Sequence, residues 1–268
     1  MTAKPDLPTI ISIAVVAHSL STLIHEGVGH GGACLAVGCH PQLLTSMQFL
    51  GDESGLSPVA GKLISAGGSF ANLAAAGIAA RLLRRQDNHM RSAWFFLWLF
   101  TTLNLLAATG YFLYSGIGDI GDWSDVIHGL QPVWFWRVLL AVTGAATYWL
   151  ATRWSMRRLA ERLPEPSRRV GEASRYSVVS YLVGGALAIS AGLFDPGGKM
   201  LIVISGAAVS LGGGSALAWG PQLLHDPSFA VPAKPRLVVA RDWRWIVAAI
   251  LSATFFLFVL GPGIRFSR

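Results

Sequence analysis

Residues 7–37, LPTIISIAVVAHSLSTLIHEGVGHGGACLAV, decide the fold. From Leu7 to Ile24 the stretch carries no Lys, Arg, Asp or Glu, and it is apolar apart from hydroxyl side chains and His18. A helix needs about 20 predominantly apolar residues to cross a bilayer. This run exceeds one straight crossing, so its end is expected at the interface or folded back. It then meets His25, Glu26 and His30. Ionisable groups at membrane depth are costly and point by default to function.

The rest of the chain extends the same reading. Of 268 residues, 53% are apolar and 13% charged, and the mean hydropathy is +0.51. Soluble domains carry about 25% charged residues, so a soluble domain, a disordered chain and a fibrous protein are all excluded. The formal net charge of +7 does not point to nucleic acid, because the arginines lie in short blocks between apolar runs. Runs long enough to span occur at roughly 7–37, 59–83, 93–115, 132–152, 177–194, 198–220 and 244–262. The expected fold is therefore an all-α, polytopic transmembrane helix bundle of about seven spans.

Lys and Arg set the orientation, since cytoplasmic loops hold them in excess. Arg81, Arg84, Arg85 and Arg91 follow the second span, Arg153 to Arg175 the fourth, and Lys234 to Arg244 the sixth. The alternate loops, 38–58, 116–131 and 195–199, hold only Lys199. The N-terminus is expected in the cytoplasm and the C-terminus outside, in a multi-pass protein of a bacterial-type plasma membrane. A single Lys4, followed by Pro5 and Pro8 and no small-residue cleavage site, does not read as a signal peptide. The Arg-rich stretch 153–176 reads as a cytoplasmic linker between a core, 1–152, and accessory helices, 177–268.

Two imidazoles can hold a divalent metal, and an adjacent carboxylate can take a proton from water that the metal activates. In the H-E-x-x-H arrangement both histidines share one helix face. Here His25-Glu26-Gly27-Val28-Gly29-His30 has one residue more. At about 100° per residue, a five-residue separation leaves the rings roughly 140° apart, against about 40° for four. A π-bulge absorbs one residue, and Gly27 and Gly29 ease that distortion.

A zinc site needs a third protein ligand. The third span runs into Gly118-Asp119-Ile120-Gly121-Asp122-Trp123, on the same expected side as His25 and His30. Asp122 is the expected ligand, with Asp119, Asp125, His40 and His128 as substitutes. His18 lies about 20° from His25 around the helix and is a ligand or a packing residue. Asn72 and Asn104, both mid-span, read as interhelical hydrogen-bonding groups. Gly67 and Gly68 read as close helix packing. Cys34 and Cys39 either form one disulfide or are inert.

These residues resemble the M50 family of intramembrane metalloproteases, the site-2 protease type, with small M50B-like members nearest. The matching pieces are His25-Glu26-Gly27-Val28-Gly29-His30-Gly31, then Ala66-Gly67-Gly68-Ser69-Phe70-Ala71-Asn72, then Asn104-Leu105-Leu106 running on to Gly118-Asp119-Ile120-Gly121-Asp122. They cover about the first half of the chain. The resemblance implies Zn2+ held by two histidines and an aspartate, Glu26 as general base, Asn72 binding substrate backbone, and a membrane protein or peptide substrate cut in or beside the bilayer. It differs in the extra residue after Glu26 and in lacking Asn-Pro-x-Asp-Gly on the third helix.

Each signal also has a plainer reading. The histidine–glutamate group could be a satisfied polar patch at a helix end, and Asp119 and Asp122 could be ordinary turn residues. The tryptophans near span ends read as an interfacial belt. A di-iron oxidase would need more ligands than seven scattered histidines supply. A non-catalytic pseudoprotease, transporter or binding protein could use the same polar site.

Overall fold

In a computed structural model, which describes residues 5–85, 91–163, 166–197, 212–229 and 234–267, the first helix starts where the sequence supplies a cap. Asp6 accepts hydrogen bonds from the Thr9 amide and hydroxyl. These satisfy donors that a helix start leaves unpaired. Helix α1 (Leu7–Leu23) continues without a break through a π-helical segment, Ile24–Gly31, into α2 (Gly32–Ala36). The end of the first apolar run thus neither folds back nor breaks.

Three further long helices follow, α3 (Pro58–Arg85), α4 (Arg91–Gly118) and α6 (Val133–Ala160), with the short α5 (Asp122–Ile127) between the last two. The run Leu7–Ala36 and these three are the helices long and apolar enough to cross a membrane among the described residues. Helix α4 is the most enclosed of them and α6 the least. Close approach of α4 and α6 depends on glycine. A Cβ on Gly144 would stand 2.3 Å from the Leu113 amide nitrogen, and one on Gly116 would stand 2.6 Å from that of Ala141. Trp98, fully buried, donates its indole N–H to the Ser155 carbonyl and joins the same pair.

Helix α7 (Pro166–Gly192) begins inside the stretch expected to be a linker. Arg and Glu are good helix formers, and three of the charges there form ion pairs. Arg158 pairs with Glu161, Lys234 with Glu161, and Arg236 with Glu172. The region 153–176 is therefore mostly helix. Two later helices pack on α1. His18 of α1 lies against Gly184 of α7 and hydrogen-bonds the Ser180 carbonyl. Beyond α8 (Ala216–Trp219), helix α9 (Trp243–Thr254) packs on α1 and runs on as a π segment to Val259. That apolar helix, Trp243–Val259, is shorter than the other four. Most of the run expected at 198–220 lies outside the described residues.

The bundle is not purely helical. The loop after α2 forms a hairpin of β1 (His40–Leu44) and β2 (Phe49–Asp52), and β3 (Ile264–Arg265) adds to it in the order β2-β1-β3. Leu44 faces Phe49 and Ile264 across the ladders. Two short strands with no sustained apolar alternation gave the sequence no strand signal. A disulfide joins Cys34 to Cys39 and packs on Gly51, tying the end of the first helix to the sheet. The sheet lies at one end of the bundle. At the other end Asp6 bonds Val239 and Arg241, and Leu237 bonds Arg162.

Candidate metal centre

The π segment brings His25 and His30 together. Its backbone closes i→i+5 turns, as in the bond from the Gly32 amide to the Gly27 carbonyl. Residues five apart therefore stack one turn above another. The two Nε2 atoms stand 3.2 Å apart. Asp122 Oδ2 lies 3.1 Å from His25 Nε2 and 3.5 Å from His30 Nε2.

The opposite side of each ring is fixed. His30 Nδ1 lies 2.8 Å from the Ile64 carbonyl, which can only accept. His25 Nδ1 lies 2.6 Å from Asn72 Oδ1. The Asn72 amide nitrogen donates to Asn104 Oδ1 at 2.7 Å, and the Asn104 amide nitrogen donates to the Phe100 carbonyl at 2.7 Å. This relay ends on a backbone acceptor, so Asn72 must present its oxygen to His25. Both histidines then hold their proton on Nδ1 when neutral, and both Nε2 lone pairs point at one spot. Outer partners of this kind orient metal-binding imidazoles.

Three donor atoms facing one another are mutually repulsive unless a proton or cation lies among them. Asp122 Oδ2 is buried and has no well-directed hydrogen bond. Ligands of a tetrahedral ion at about 2.0–2.2 Å are separated by roughly 3.3–3.6 Å, close to the edges of this triangle. Glu26 is 7% exposed and adjacent. Ligand atoms of His25, Glu26 and His30 lie within 4.8 Å of one another, a grouping that could hold a metal ion.

Glycine makes room for this arrangement. A Cβ on Gly29 would be 2.5 Å from Gly68 Cα, and one on Gly68 would be 2.5 Å from the His25 ring and 2.7 Å from that of His30. Helix α3 thus packs backbone to backbone on the π segment and forms the floor beneath both rings. Asp122 is brought in by its neighbours. Gly121 turns the chain at φ 85°, and the Trp123 indole donates to Ser69 Oγ while its ring meets Phe70 and Phe112.

The remaining candidates fall elsewhere. Asp119 bonds Arg137 and Ser124, away from the rings. His18 packs on α7, and His40 and His128 are exposed. Asp125 lines the groove beside Asp122. Asn72 is fully buried with its amide engaged, so it lies behind His25 and does not line the groove beside the rings. Trp123, read from sequence as a membrane-belt residue, is the anchor of Asp122. Tyr111 stacks on His25 at 4.8 Å between ring centres, a role for which the sequence held no signal.

A polar groove runs from the triangle along β2, lined by Glu26, His30, Gln48 to Gly51, Asp122 and Asp125. Strand β2 is the edge of its sheet, and its Phe49 and Leu50 line the groove together with Glu26, so the unpaired edge faces the site. Comparison of the chain with family models, curated proteins and solved structures found no match.

Proposed function

We propose that this protein is a zinc-dependent membrane peptidase of the kind the M50 resemblance implies. The observation that carries the reading is the convergence of His25 Nε2, His30 Nε2 and Asp122 Oδ2 beside the buried Glu26. Two imidazoles and one carboxylate form a zinc donor set that leaves a fourth position open, as hydrolytic sites require. Zinc held there supplies a Lewis acid that polarises the scissile carbonyl and makes water acidic near neutral pH.

The chain's own groups do the rest. Glu26 takes a proton from the attacking water as the new C–O bond forms, holds it, and passes it to the amine as the C–N bond breaks. Asn72 and the Ile64 carbonyl keep His25 and His30 turned inward. The free edge of β2 offers backbone groups to an extended peptide, a common way of adding a strand. Seven crossings, with the N-terminus cytoplasmic and the C-terminus outside, put this groove on the outer face of a bacterial-type plasma membrane. In support, the Arg-rich segments gather at the bundle end opposite the sheet.

The test is hydrolysis by purified, zinc-loaded protein against the Glu26→Gln variant, which keeps the shape and removes the base. Peptide cleavage is lost and zinc content retained. Equal cleavage by the variant discards the mechanism.

A further inference from the structure

Behind Glu26 lies a second void of about 450 Å³ among the described residues, and it is overwhelmingly apolar. It shares Glu26, Met47, Tyr111 and Tyr114 with the groove along β2, so the two spaces meet at the general base. On the first helix its lining runs from His25 of the π segment back to His18 of α1, and on α4 from Gly118 back to Leu103. At about 1.5 Å per residue it penetrates roughly 10 Å along the first helix and about 22 Å along α4. Leu106, Leu187 and Phe256 furnish its walls.

The groove's wall is a strand edge, which suits an extended polypeptide. Only side chains on the bilayer side of the cleaved bond can enter the void. Its volume falls in the range that encloses a drug-sized ligand, about 300–1,000 Å³, which exceeds one small side chain.

Resting on the peptidase reading, we propose that this cavity is the specificity pocket, taking bulky apolar side chains such as Leu or Phe next to the scissile bond while the polar part of the substrate pairs with β2. A pocket of this kind discriminates modestly, since each methylene changes rates by roughly 10–200-fold.

The experiment uses the full-length zinc-loaded protein in detergent and an alanine-rich synthetic transmembrane peptide. Its cleaved bond is located by mass spectrometry, and the flanking residue is varied as Ala, Leu or Phe. The native protein prefers Leu and Phe over Ala in kcat/KM by about tenfold or more. Ala107→Phe on α4 fills the cavity and abolishes that preference while zinc content and cleavage of the Ala peptide persist. Ala188→Phe on α7, which lines the opposite wall, gives the same result independently. Equal cleavage of all three peptides by the native protein overturns the pocket and leaves the peptidase reading intact. So does an unchanged preference in both variants together with loss of a co-purifying lipid, which would assign the cavity to an acyl chain. No cleavage of any peptide by zinc-replete native protein removes the peptidase reading and the pocket together.

Discussion

The side-chain amide of Asn72 donates to Asn104 Oδ1 at 2.7 Å, and through this bond a residue on α4 decides which way a histidine on the first helix turns. Partners one step behind a metal ligand are typically worth about 10–100-fold in affinity. Asn72→Leu removes the acceptor for His25 Nδ1 and weakens zinc binding by that factor. Asn104→Leu, which only frees the Asn72 amide to turn over, costs less. Competition with a chromophoric chelator measures both, and an Asn104 variant weaker than the Asn72 variant contradicts the relay.

His30→Ala removes a donor atom from the triangle and His18→Gln does not. Zinc affinity falls steeply in the first variant and holds in the second, because the His18 imidazole is committed to the Ser180 carbonyl. A large loss with His18→Gln would place a ligand where the structure has packing.

Deleting Val28 tests the π turn directly. Val28 is 63% exposed, and its removal brings the histidines to the four-residue spacing that an ordinary helix aligns. The shortened protein keeps zinc affinity nearer to the native chain than to His30→Ala. Collapse of binding on deletion would mean that the π segment does more than absorb one residue.

Gly68→Ala introduces a methyl group into the imidazole rings. Overpacking of this type costs about 1–3 kcal/mol, and here the strain falls on the ligands themselves. Zinc binding drops before helix content does, as circular dichroism beside metal titration will show. An Ala variant with native affinity would refute the packing of α3 against the rings.

The first helix and its site were legible in sequence because three signals coincide there: apolar length, an H-E…H spacing, and glycines at 27 and 29 that permit a π turn. The aspartate was not fixed by sequence. Asp119 and Asp122 sit in similar Gly-Asp contexts, and they are separated by the φ of Gly121, the docking of Trp123 on Ser69 and the pairing of Asp119 with Arg137. Asn72 was read as hydrogen-bonding between helices, but its partner His25 depends on tertiary packing that no local pattern encodes. The hairpin stayed hidden because its two short strands carry no sustained apolar alternation, and the third strand because pairing of residues 43–44 with 264–265 is a contact of very long range.

Asp6 gives a pH dependence clear of the histidine–aspartate cluster. A hydrogen bond from the Thr9 hydroxyl, outweighing burial and joined by Arg241, holds its carboxyl below the usual carboxylate range. Its stabilising effect is complete above the unfolded value of about 4 and is lost as pH falls through the folded one. Asp6→Ala therefore costs about 1 kcal/mol near neutrality and progressively less in acid. A denaturation difference that is constant from neutral to strongly acidic pH would contradict the cap.

Strand β1 is synthesised more than 200 residues before one of its two neighbours, β3, which comes from residues 264–265. During translation the imidazoles and Asp122 therefore emerge long before the sheet beside the groove gains its third strand. A ribosome-bound chain carries its donor set beside an unfinished wall until residues 264–265 emerge and pair with β1.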